Sequence, residues 1–118
     1  MGDIPASGRG ETQLQQVVLN LVMNGFDAMA TVPEAQRWLE LRVERDDPQA
    51  LRVSVRDAGV GLHAEERDRI FDAFYTSKSD GMGMDLAISR SIVEAHEGRL
   101  WSAPNVGGGE TFSFTLPI

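Results

Sequence analysis

The chain has 118 residues, the size of one domain, and is too short for a two-domain enzyme. Its net charge of -7 argues against nucleic acid or an anionic membrane as a main partner, because both require a basic footprint. It has no cysteine, which excludes disulfides, thiolate metal sites and cysteine nucleophiles. No apolar run approaches the roughly 20 residues of a membrane span and the start is not a signal peptide, so we expect a cytoplasmic module, free or belonging to a membrane receptor.

The first predicted element is a helix over residues 12–30. Apolar residues recur in it at three- and four-residue steps and form one stripe. These are Leu14, Val17, Val18, Leu21, Ala28 and Met29. On the same helix Asn20, Asn24 and Asp27 stand at i, i+4 and i+7, which makes a polar stripe beside the apolar one. Their oxygens suit a hard cation such as Mg²⁺, although an ordinary solvated helix face has the same spacing.

Two strands are predicted next, over residues 38–45 and 50–57, as a hairpin with one solvated face. In the first strand Leu39, Leu41 and Val43 alternate with polar residues and would form its buried face. Asp57 ends the second strand and, by the period of two, shares the core-facing side with Val53 and Val55. A carboxylate there needs a donor, which the exocyclic amine of a base would supply, but an aspartate in a turn is an equally simple explanation. Gly59 and Gly61 follow and would let a flat ligand lie close to the backbone.

The rest of the chain predicts a short helix near residues 64–70, an amphipathic helix over 83–96 and strands near 99–103 and 110–116. The apolar positions of the longer helix are Leu86, Ile88, Ile92 and Val93. Gly81 and Gly83 precede this helix, whose N-terminus can bind an anion, and Lys78 lies just upstream, although a lone lysine is usually solvated. We therefore expect one α+β domain over residues 1–118. It would be a two-layer α/β sandwich with a mixed, mostly antiparallel sheet and about three helices on one face.

Four segments then occur in one order, and that order resembles a known family. LQQVVLNLVMNGFDAM resembles the N box of histidine kinases, DAGVGL their first glycine box and IFDAFYTSK their phenylalanine box. DGMGMDLAISRSIVEAHEGRLW resembles the second glycine box with its helix and strand, and GGGETFSFTLPI resembles the last strand. The resemblance covers residues 10–118 and implies the ATP-binding sandwich that these kinases share with gyrase-type ATPases. The chain contains no P-loop motif.

The resemblance implies a protein-histidine kinase domain that binds Mg²⁺-ATP. Its γ-phosphoryl group would go to a histidine on a separate dimerisation hairpin, with a response regulator downstream. By position, Asn24 matches the family's Mg²⁺ ligand, and Asn20, one turn earlier, would line the phosphate side of the site. Asp57 matches the carboxylate that accepts a hydrogen bond from the adenine N6 amine. The remaining nucleotide-binding positions that the resemblance implies are Asp27, Gly59, Gly61, Lys78, Gly81, Gly83 and Leu86. Residues 62–82 match a lid over the nucleotide, which Phe71 and Phe74 would anchor.

The chain departs from the family pattern at three positions. Asp85 replaces the third glycine of the second glycine box, Glu97 stands where a glycine is common, and Glu110 replaces a frequent hydroxyl. The phosphorylated histidine of such kinases lies in a motif like His-Glu-x-x-Arg-Thr-Pro, and neither His63, expected in a loop, nor His96, expected at a helix end, lies in one. Transfer depends on the positioning of donor and acceptor, so this chain alone should bind ATP but transfer slowly or not at all.

Three alternatives remain open from the sequence. A gyrase-type ATPase or an anti-sigma serine kinase would share the fold, but both tend to carry a glutamate where this chain has Asn20, which cannot take a proton from water at neutral pH. The third alternative is a degenerate regulatory module without useful ATP binding, and Asp85 is the residue that supports it. Phosphate release would identify an ATPase, and a nucleotide titration would identify the degenerate module.

Overall fold

The computed structural model describes residues 9–72 and 85–117, and only the backbone of residues 9–11 and 68. In chain order the elements are helix α1 (Arg9–Ala28), a 3-10 turn (Glu34–Gln36), strands β1 (Leu39–Asp47) and β2 (Ala50–Asp57), helices α2 (Ala64–Arg69) and α3 (Asp85–Ala95), and strands β3 (Arg99–Pro104) and β4 (Glu110–Pro117). None of the helices in these ranges is both long enough and apolar enough to cross a membrane.

The strands of the described ranges form one sheet in the order β1-β2-β4-β3, in which every neighbouring pair is antiparallel. Val55 lies opposite Phe112 and Val53 opposite Phe114, so the period of two places the apolar residues of β2 and β4 on one face. Helix α1 packs against α3 and β2, and α3 packs against β3. The predicted α+β sandwich of helices on a sheet is confirmed.

The core lies between the two long helices and this face of the sheet. Its buried members are Val17, Leu21, Val55, Val93, Leu100, Phe112 and Phe114. In α3, Leu86 and Ile92 pack against this core as predicted, but the prediction for Ile88 is wrong, because its side chain is 43% exposed. Ser89 takes the buried position instead, and its Oγ accepts a hydrogen bond from Asn20 Nδ2 at 3.0 Å, which removes the cost of burying the hydroxyl.

Strand β1 differs from its prediction. Leu41 and Val43 were expected on a buried face, yet they are 51% and 61% exposed. The reason is the position of α1, which approaches β1 near Leu39, where a Cβ on Gly25 would lie 2.6 Å from the Leu39 Cδ1 atom. The predicted helix boundaries also shift, since α1 ends at Ala28 and residues 29–32 form turns, with Val32 N donating to Met29 O.

Candidate nucleotide site

A cavity of about 440 Å³ opens beside the C-terminal half of α1, the end of β2, the segment that leads into α2 and the start of β4. This volume lies within the range of small-molecule sites in proteins. Four of the predicted site residues line it together, namely Asn24, Asp27, Asp57 and Gly61. They are separated by up to about 37 positions in the sequence, and the fold brings them to one cavity.

Asp57 is buried and held by hydrogen bonds. Its side chain is on the core face, as predicted, and the residue is 1% exposed. Gly59 N donates to its Oδ1 at 2.7 Å, and Glu110 N lies 3.5 Å from the same atom. Asn105 Nδ2 donates to the main-chain carbonyl of Asp57 at 2.9 Å. Donors therefore compensate the burial of this carboxylate and fix its position on the cavity wall.

The glycines around Asp57 allow the chain to pass close to it. A Cβ on Gly59 would lie 2.7 Å from the Ala28 carbonyl oxygen and 2.8 Å from Asp57 Oδ1, so the space beside this glycine is filled by the protein itself. Gly61 lines the cavity and has a φ of +78°, a conformation that favours glycine. Gly109 has a φ of +91°, and a Cβ there would lie 2.1 Å from the Asp57 carbonyl oxygen.

The polar stripe of α1 is divided between two environments. Asn24 and Asp27 line the cavity, whereas Asn20 is absent from its described lining and is only 8% exposed. Asn20 Nδ2 donates to Ser89 Oγ and, at 3.3 Å, to the Asp85 carbonyl, while Asn20 Oδ1 accepts from Gln16 Nε2 at 2.8 Å. Asn20 therefore joins α1 to the first turns of α3.

The other predicted positions are distributed as follows. Leu86 packs against the hydrophobic core. Phe71, the predicted anchor of the lid, also packs there, with its ring edge-on to Phe112 at a centroid distance of 6.1 Å. The predictions for Phe74, Lys78, Gly81 and Gly83 lie outside the described residues.

Sequence reasoning missed Glu110 at the cavity and Arg67, its ion-pair partner. Glu110 lines the cavity, is 2% exposed and forms an ion pair with Arg67, whose Nε lies 2.7 Å from its Oε2. A signal was available, because Glu110 has the same strand parity as Phe112 and Phe114 and was therefore bound to face the core. A buried carboxylate requires a cation or several donors, but the sequence does not show which residue supplies them.

The chain matches the family described as "Histidine kinase-, DNA gyrase B-, and HSP90-like ATPase" over residues 9–118. Sensor protein FixL of Bradyrhizobium diazoefficiens is 43% identical over 105 residues, which are 89% of this chain and 20% of FixL. The C4-dicarboxylate transport sensor protein DctS of Rhodobacter capsulatus is 41% identical over 117 residues, 99% of this chain and 18% of DctS. The chain thus spans about a fifth of the length of these relatives.

Solved structures agree with this assignment. The catalytic domain of histidine kinase ThkA superposes with a TM-score of 0.78 at 33% identity, covering 90% of this chain and 66% of that one. Full-length ShkA in complex with AMPPNP superposes with a TM-score of 0.74 at 30% identity, covering 89% of this chain and 21% of that one. The chain therefore belongs to the histidine kinase-, DNA gyrase B- and HSP90-like ATPase family, and its type within that family is the ATP-binding catalytic domain of sensor histidine kinases.

Proposed function

We propose that this chain binds Mg²⁺-ATP and donates the γ-phosphoryl group to a histidine on a separate dimerisation hairpin, in a two-component pathway that continues to a response regulator. One observation carries the proposal, which is the buried Asp57 carboxylate on the wall of a cavity that Asn24 and Asp27 also line. The relatives support it, since FixL and DctS are sensor proteins and ShkA was solved with the ATP analogue AMPPNP.

In this proposal Asp57 reads the base. Its carboxylate accepts a hydrogen bond from the N6 amine of adenine, whereas guanine presents a carbonyl at the same place and would set two acceptors against each other. The donors from Gly59 and Asn105 hold the carboxylate and its main chain before a ligand arrives. Such preorganisation lowers the entropy that binding would otherwise lose in ordering the site.

The helix side of the cavity suits Mg²⁺ and phosphates. Asn24 and Asp27 offer a carboxamide and a carboxylate oxygen, which are the donors that a hard cation prefers. The described residues contain no group of three or more histidine, aspartate or glutamate side chains that would cage a metal. This sparse donor set fits Mg²⁺, which usually keeps several waters and binds substrate phosphates through one or two protein oxygens. When bound, the ion would neutralise charge on the phosphates, and we propose Asn24 as its protein ligand.

The same geometry disfavours steady ATP hydrolysis. The Asn20 carboxamide stands where gyrase-type enzymes tend to carry a basic glutamate, and it is already bonded to Ser89 and Asp85. A carboxamide cannot take a proton from an attacking water at neutral pH. Neither His63, which precedes α2, nor His96, which follows α3, lies in a phosphoacceptor motif. We therefore expect nucleotide binding by the isolated chain, with little or no autophosphorylation.

Calorimetric titration with ADP and GDP tests the proposal. ADP should bind at least about tenfold more tightly than GDP, because a charge-assisted hydrogen bond contributes about 1.5–3 kcal/mol. Asp57→Asn keeps the Oδ1 acceptor for Gly59 N but presents an amide donor beside the N6 amine, so it should weaken ADP binding by a similar factor. Glu65→Gln, an exposed acidic residue of α2, removes the same charge and should leave ADP affinity unchanged.

Equal affinities for ADP and GDP would overturn the assignment of Asp57 to the base. Absence of binding by either nucleotide would instead support the degenerate regulatory module. A linear release of phosphate from ATP at a rate that Asn20→Ala does not change would overturn the argument against hydrolysis.

A further inference from the structure

Glu110, on the wall of the cavity, forms a two-point ion pair with Arg67 of α2. Arg67 Nε lies 2.7 Å from Glu110 Oε2, and Arg67 Nη2 lies 3.0 Å from Oε1. The Glu110 side chain is 3% exposed and that of Arg67 is 22% exposed. Parallel N–H···O bonds of this kind are directional as well as strong, and they therefore hold both partners in one orientation.

The pair also holds the main chain of Leu62. Leu62 N donates to Glu110 Oε1 at 3.3 Å, and Arg67 Nη2 donates to the Leu62 carbonyl at 2.9 Å. Leu62 lines the cavity between two further lining residues, Gly61 and His63. The ion pair thus fixes one peptide segment of the cavity wall through both of its polar main-chain groups.

Glu110 connects the Leu62 segment to Asp57, the residue that we propose reads the base. Its main-chain nitrogen lies 3.5 Å from Asp57 Oδ1, while its carboxylate binds Arg67 and Leu62 N. We call the part of the cavity wall formed by the main chain of Leu62 the Leu62 wall. The distance between the Asp57 carboxylate and the Leu62 wall therefore depends on Glu110, at the start of β4. A flat base that lies in the cavity would contact both, so their spacing affects how well its amine meets Asp57.

We propose that Arg67 and Glu110 act as a positioning pair, the Arg67–Glu110 clamp, which sets the Leu62 wall relative to Asp57 and thereby sharpens the preference for adenine. The proposal rests on the proposed function, since it assumes that Asp57 reads the base. The clamp acts through Leu62 and Asp57, and its two ionic groups satisfy each other. Glu110 departs from the family pattern, in which a residue with a hydroxyl group is frequent at this position.

The test is to measure ADP and GDP affinity, by displacement calorimetry, together with the midpoint of thermal unfolding. Arg67→Met should weaken ADP binding about fivefold, comparable to the loss of one hydrogen bond, and GDP binding much less. The double variant Arg67→Met/Glu110→Leu removes both charges, so it should be thermally more stable than Arg67→Met. Its ratio of ADP affinity to GDP affinity should nevertheless stay at least about threefold below that of the wild type. Arg45→Met, which removes an exposed positive charge that donates to the Pro48 carbonyl away from the cavity, is the control and should leave the ratio unchanged.

The outcomes separate the clamp from simpler explanations. If the double variant regains both stability and the ADP/GDP ratio, the pair serves folding alone and the proposal is overturned. An equal effect of Arg45→Met would show that the loss of one positive charge anywhere on the protein is responsible, which overturns the proposal. If Arg67→Met does not fold, Arg67→Lys replaces it in the test, because lysine keeps the buried carboxylate paired but cannot make the two-point contact. A wild-type ADP/GDP affinity ratio in Arg67→Lys overturns the proposal.

Failure of the clamp is distinguishable from failure of the proposed function. A wild-type protein that prefers ADP, together with variants that keep this preference, overturns the clamp alone. A wild-type protein that binds ADP and GDP equally, or neither, overturns the reading of the base by Asp57 and the clamp with it.

Discussion

The two sides of the cavity are built in different ways. On the sheet side, Asp57 and Glu110 are almost fully buried and are fixed by hydrogen bonds from segments distant in sequence. On the helix side, Asn24 is partly buried and Asp27 is exposed. The sheet side is the proposed base site and the helix side the proposed metal and phosphate site.

The difference agrees with the tasks that we propose for the two sides. Discrimination between bases depends on the placement of one or two hydrogen bonds, and a small displacement of the wall would remove it. A Mg²⁺ ion keeps waters and uses phosphate oxygens, so it can adjust to a less rigid protein donor. We therefore expect substitutions on the sheet side to change stability and base preference, and substitutions on the helix side to change metal-dependent affinity.

The largest effect should come from Gly109→Ala, on the sheet side. A Cβ there would lie 2.1 Å from the Asp57 carbonyl oxygen, so the β3–β4 loop would have to move away from the site. Gly107→Ala is the matched control, because Gly107 has a φ of +92° against +91° for Gly109 and no atom lies within 4 Å of its Cβ position. Chemical denaturation should show a loss of about 1–3 kcal/mol for Gly107→Ala from the backbone conformation alone, and a clearly larger loss for Gly109→Ala.

Equal losses in the two alanine variants would mean that the loop beside Asp57 yields easily. The sheet side would then not be the rigid side of the cavity.

On the helix side, Asn24→Ala should weaken Mg²⁺-ATP binding by at least about tenfold, because it removes the proposed protein ligand of the metal. Its effect on the binding of metal-free ADP should be much smaller. Asn20→Ala, the same substitution one turn earlier, is the control. It breaks the contacts to Ser89 and Asp85 and should lower the free energy of unfolding by about 1–3 kcal/mol while changing the two nucleotide affinities by the same factor.

Titrations with and without Mg²⁺ check this pair of variants. If Asn24→Ala weakens Mg²⁺-ATP and metal-free ADP equally, Asn24 has a structural role and the contrast between the two sides of the cavity is lost.

The sequence predicted the features that depend on local periodicity. The α1 stripe with Val17 and Leu21, and the core-facing position of Asp57, follow from periods of 3.6 and two, and the structure confirms them. Contacts between segments were not predictable in this way. The hydrogen bond from Asn105 to Asp57 joins residues 48 positions apart, and no local pattern indicates which groups meet across such a distance.

The incorrect predictions have the same cause. Ile88 satisfied the helical period, but the hydrogen bond from Asn20 on another helix selects Ser89 for the buried position. Leu41 and Val43 satisfied the strand period, but the burial of a strand face depends on which element covers it. Helix α3 packs on the edge strand β3 and buries Leu100, whereas α1 approaches the other edge strand, β1, near Leu39. Period therefore predicts the face on which a residue lies, whereas tertiary contacts determine whether that face is covered.

The smallest expected effect concerns Asp85, where the chain departs from the glycine of its family. Asp85 is the first residue of α3, its side chain is exposed, and its carbonyl accepts from Asn20 Nδ2 at 3.3 Å. An acidic residue in the first turn stabilises a helix by about 0.3–1 kcal/mol, so Asp85→Gly should leave the unliganded protein equally stable or slightly less stable. In the nucleotide complex that we propose, the same carboxylate faces the triphosphate, and two like charges about 4 Å apart repel by roughly 1 kcal/mol in water.

Because Asp85 is exposed, the repulsion between its carboxylate and the phosphates is the value for water, roughly 1 kcal/mol. Removing this repulsion in Asp85→Gly should tighten metal-free ATP binding by about fivefold. Asp85→Asn separates the two causes, because it removes the charge but keeps the Cβ atom and should recover most of the gain. The gain should shrink at high salt, which screens exposed charges, and with Mg²⁺, which neutralises the phosphates. Unchanged or weaker ATP binding by Asp85→Gly would show that the carboxylate points away from the phosphates, in which case this departure from the family pattern does not impair the helix side of the site.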